Sequence, residues 1–99
     1  MSDKTDDFSW EGKNVVLMSG TTHYWMGRCV GEDLFHFYLK ESGWIPYIGR
    51  HNEVFRTGKP CNDTEYEPHN PDAIWAIPKQ GTIISEWLFP LWLGPLPSA

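Results

Sequence analysis

Imidazoles, thiols and indoles carry most of the chemistry available to this sequence: His23, His36, His51 and His69, Cys29 and Cys61, and six tryptophans at Trp10, Trp25, Trp44, Trp75, Trp87 and Trp92. Histidine and cysteine are ligands of zinc and serve as base and nucleophile in covalent catalysis. Their spacing argues against both uses. The chain has no Cys-x-x-Cys, no His-x-x-x-His, no carboxylates at ligand intervals, no Gly-flanked nucleophile elbow and no phosphate-cradling glycine loop. No metal and no cofactor is therefore expected. One segment keeps catalysis open as an alternative: residues 58–72 place Cys61 and His69 on the same aperiodic stretch as Asp63 and Asp72, the side-chain types of a small hydrolase or metal protein.

The indoles point elsewhere. A domain of this size buries only about two-thirds of the surface its unfolded chain exposes, and Trp is rarely hidden completely, so six of them in 99 residues imply ring surface left over for a partner. Tyr24, Trp25, His36, Tyr38, Trp44 and Tyr47 fall on consecutive strand-like segments, whose outward members lie side by side in an antiparallel meander. Such rings stack on bases, grip an extended peptide or surround a cation. The formal net charge of −5, with eight basic residues scattered and no basic stripe, disfavours a phosphate backbone. The expected partner is another protein, with single-stranded nucleic acid as the alternative.

The elements that must position these rings are short. With 40% hydrophobic and 21% charged residues the chain reads as one globular domain. No apolar run approaches the roughly 20 residues that cross a bilayer, and the polar, acidic start is unlike a signal peptide, so a cytoplasmic location with reduced cysteines is expected. Residues 1–9 read as a flexible acidic arm, 10–88 as the domain and 89–99 as a Pro-rich apolar tail. Strand-like runs cover residues 14–19, 23–30, 34–40, 44–48, 53–57, 73–77 and 82–88, with turns at Gly31-Glu32-Asp33 and Ser42-Gly43 and a long loop at 58–72. That spacing predicts an all-β fold, a small and strongly bent antiparallel barrel, SH3-like or Sm-like by analogy of architecture only. The tail, interrupted by prolines, must bury Phe89, Leu91, Trp92 and Leu93 without strand pairing, which makes these residues the expected contacts of a homodimer formed by tail exchange.

Overall fold

Val15-Val16-Leu17 is apolar on both alternating faces, which suits a strand covered on both sides. The computed structural model, which describes residues 9–20 and 23–92, places it centrally. Strand β1 (Asn14–Ser19) pairs antiparallel with β2 (His23–Glu32) on one edge and with β6 (Thr82–Glu86) on the other. β2 continues into β3 (His36–Tyr47), and the outer edge of β3 is shared by β4 (Glu65–Pro68), opposite Gly43 to Tyr47, and β5 (Trp75–Pro78), opposite His36 to Leu39. The path across the sheet is β4-β3-β2-β1-β6.

β3 is one strand of twelve residues where the sequence suggests two separated by a turn at Ser42-Gly43. The chain bends there instead of reversing. Glu41 adopts φ 52, and the register against β2 shifts between Met26 and Arg28 and again between Cys29 and Gly31. Bulges of this kind sharpen the twist without ending the ladder. Gly43 answers a packing demand: the ring of Tyr66 occupies the space a Cβ would need.

The sheet is bent but not closed into a barrel, which corrects the expected architecture. β5 and β6 are consecutive, yet they pair with β3 and β1 and not with each other. Closure would begin at Pro78 and Thr82. Pro78 has no N–H, and the Thr82 N–H is bonded to the Lys79 carbonyl at 3.1 Å, so donors are missing where a ladder would start.

Residues 51–57 form a helix, α1 (His51–Thr57), in place of the strand expected at 53–57. Gly58 closes it in the left-handed conformation at φ 73, donating its N–H to Val54, while Glu53 and Arg56 sit at the ends that complement the helix dipole. The loop expected at 58–72 contains β4 and is pinned by Thr64, whose hydroxyl donates to the Ile48 carbonyl and accepts from the Cys61 N–H.

One core lies under α1 and joins Val16, Met26, Ile45, Ile48, Val54, Tyr66, Trp87 and Trp92. The other lies on the opposite face, where Val15, Leu17, Cys29, Phe37, Leu39 and Ile77 meet. The tail docks on its own chain through Trp92: Phe89 packs on Gly58, Trp92 Nε1 donates to the Gly58 carbonyl at 3.2 Å, and Leu91 packs against the same core. Leu93 with the rest of the tail, and residues 1–8 of the expected arm, lie outside the described residues. Among the described residues no helix is long and apolar enough to cross a membrane.

Candidate functional site

Directly opposed residues of antiparallel strands share a face. The registers therefore assemble one row across the sheet, Ile84–Leu17–Trp25–Trp44–Glu67, contributed in turn by β6, β1, β2, β3 and β4. It runs on the face opposite α1. Leu17 is fully buried beneath it, Trp25, Trp44 and Ile84 are half-buried, and Glu67 is exposed. His23 stacks alongside both indoles, with ring centroids 5.9 Å from Trp25 and 6.3 Å from Trp44 and interplanar angles of 24° and 27°. Trp44 Nε1 is buried with no hydrogen-bond partner among the described residues. An unmet buried donor costs about 1–3 kcal/mol, a cost carried here by a ring whose other atoms reach the surface.

The six aromatic residues expected to share a face are divided by the structure. Trp25 and Trp44 meet. Tyr24 points into the helix-side core at 7% exposure, its hydroxyl hydrogen-bonded to His51 Nδ1 at 3.1 Å. His36 and Tyr38 lie near the β2–β3 tip, with rings 6.1 Å apart, and the Tyr38 hydroxyl donates to Asp33 at 2.5 Å. Tyr38 and then the Phe35 N–H hold the Asp33 carboxyl at about 2, well below the usual range. Tyr47 is exposed opposite Glu65, beyond a register shift. The sequence reading missed His23, Leu17, Ile84 and Glu67. The tight turn around Gly20 carried a signal for Leu17 and His23, because it fixes the β1–β2 register; Glu67 lies in the stretch without periodicity and carried none.

Cys61 and His69 have separate partners. The Cys61 thiol donates to the Glu53 carboxylate at 3.6 Å, beside an open cleft of about 860 Å³ lined by Arg50, Lys59 and Asp63. His69 stacks on Trp75 at 3.8 Å and 12°, and its Nδ1 hydrogen-bonds Ser42 Oγ at 3.0 Å. Burial lowers the His69 pKa, opposed by the charge of Glu67. Ser42 is 2% exposed, so this hydroxyl–imidazole pair ties β3 to the β4 segment and offers no nucleophile to a substrate. Among the described residues no group of three or more His, Cys, Asp or Glu side chains is arranged to hold a metal ion. Cys29 is buried and its thiol donates to the Gly31 carbonyl; burial pushes its pKa up. Both cysteines are free.

Comparison of the chain with family models, with curated proteins and with solved structures gives no match.

Proposed function

We propose that this protein is a non-catalytic binding module that recognises another protein, with Trp25, Trp44 and His23 as its central contacts. The observation that carries the reading is the Trp25–Trp44 cross-strand pair in a sheet-wide row on the face away from α1. Half-buried indoles braced by neighbouring strands offer large, rigid contact area with little conformational entropy to lose, the property of interface hot spots. An extended peptide lying across the strands would meet Ile84, Trp25 and Trp44, with Leu17 buried between the first two, and a carboxylate at Glu67. Tyr47, opposed to Glu65 on the same side as Glu67, extends the surface in this reading, whereas His36 and Tyr38 alternate with Phe37 and Leu39 and, like Tyr24, lie on the other face of the sheet. The bent antiparallel order of β5-β3-β2-β1-β6 supports the SH3-like analogy, and the free thiols of Cys29 and Cys61 support a cytoplasmic location.

Selection from a displayed random-peptide library tests this. Peptides enriched on the wild-type chain should lose at least tenfold in affinity for Trp44→Ala and for Trp25→Ala, with a smaller loss for Tyr47→Ala at the margin. Retained affinity in both tryptophan variants, each folded by circular dichroism, overturns the assignment. A mixed-sequence single-stranded oligonucleotide is the second probe. Binding that quenches the indoles and collapses with rising salt would favour nucleic acid instead; the −5 charge and Glu67 at the row's end argue against that outcome.

A further inference from the structure

Among the described residues the sheet ends in the outer edges of β4 and β5 on one side and of β6 on the other; β4 and β5 each carry a proline, and β6 does not. β3's outer edge is covered by β4 and β5, whereas among the described residues no strand pairs beyond β6. Natural edges are usually blunted by lysine, proline, an inward-pointing charge or a bulge. Thr82-Ile83-Ile84-Ser85-Glu86 has no lysine, proline or bulge and only Glu86, at its end, is charged, while Ile83 is 63% exposed.

Hydrogen-bond phase shows which groups the edge offers. The Trp87 N–H donates to the Asn14 carbonyl at 2.7 Å, and hydrogen-bonded and non-hydrogen-bonded residues alternate along an antiparallel ladder. Ser85 and Ile83 are therefore bonded inward to β1, and the N–H and C=O groups of Ile84 and Glu86 face outward.

We infer that a second copy of this chain pairs with this edge, β6 antiparallel to β6, about a two-fold axis at Ile84. That register overlaps the whole strand, matches the outward donors and acceptors of Ile84 with those of the second copy, and sets the Glu86 N–H toward the Thr82 carbonyl. It is also the register in which the strand's charge finds a neutral hydroxyl, because each Glu86 falls opposite a Thr82. On the helix side each Ile83 lies opposite a Ser85. It borders the apolar groove of about 290 Å³ formed with Val16, Met18, Tyr24 and Phe55, so the two grooves open toward each other across the axis. On the other side Ile84 meets Ile84, which joins the two aromatic rows end to end. Such an isologous contact closes on itself and leaves no further β6 edge to recruit a third copy.

Sedimentation equilibrium of the full chain across the micromolar to millimolar range should fit a monomer–dimer equilibrium. The double substitution Ile83→Lys and Ser85→Lys alters exposed side chains only, so its thermal midpoint should stay near wild type while self-association weakens at least tenfold. Amide exchange supplies a second readout: protection of Ile84 and Glu86 should rise with protein concentration, while that of Ile83 and Ser85 stays constant. A monomer throughout overturns the inference, as does a dimer that survives the lysine substitutions. A dimer abolished instead by Leu34→Ser and Phe35→Ser moves the contact to the hairpin tip and also overturns it. Peptide binding through Trp44 by a strictly monomeric chain would leave the proposed function standing and reject this pairing alone.

Discussion

At the scale of single residues, adjacent positions on one strand do opposite jobs. Tyr24 is core and Trp25 is surface row, and strand alternation alone forces that division once the β1–β2 register is known. Composition could signal an excess of rings but not which ring faces which way, because the bulges after Met26 and at Glu41 reset the alternation part-way along the hairpin. Gly43 shows the same limit. Its type suggests a turn, yet its role is to admit the ring of Tyr66, a contact made across β3 and β4. Gly43→Ala should therefore lower stability by about 1–3 kcal/mol, the usual cost of overpacking a filled core. Urea unfolding checks this: the midpoint should fall at constant slope, and an unchanged midpoint would show that Tyr66 moves aside freely.

Among the elements, those with strong local patterns were legible and those defined by distant partners were not. β1 follows from its continuous apolar run and the first part of β2 from the turn that precedes it. α1 does not, since Glu53-Val54-Phe55-Arg56-Thr57 has strand-like composition, and helix wins through the left-handed Gly58 cap and the packing of Val54. β4 is hidden for a related reason: one buried residue, Tyr66, anchors it among polar neighbours. The tail was legible as something that must dock, and its described part, Phe89 to Trp92, packs on its own chain. Trp92 meets Tyr66 edge-on at 5.6 Å and Trp87 at 5.7 Å. Trp92→Ala should cost about 3–5 kcal/mol, as truncation of a buried large aromatic does. Leu88→Ala, at 77% exposure, should change stability by less than about 0.5 kcal/mol. Equal effects in thermal melts of the two variants would mean that the tail is not part of the folding unit.

For the whole molecule, stability should fall on acidification in two stages. Burial keeps His69 neutral in the folded chain below its ordinary pKa of about 6.5, so the unfolded chain binds more protons just below that value. Thermal stability should accordingly decrease as the pH drops from 7 toward 5, and His69→Gln should flatten that limb. The second stage comes from Glu32 and Asp33, whose pKa values are lowered: Glu32 by its bond to Lys79, Asp33 by Tyr38. Their contribution is complete above about pH 5, where both carboxyls are ionised in the unfolded chain too, and fades as the pH falls toward 2. A melting temperature flat from pH 7 to pH 3 would contradict both assignments. The central place of β1 has a kinetic corollary. β1 is made complete only when Val15 meets Glu86, so the first strand of the domain must wait for the last, and the entropy of closing that long loop falls on the folding barrier. Until then Val15, Leu17 and one flank of β1 are bare on the emerging chain, which marks the interval before β6 arrives as the time when this protein most needs a chaperone.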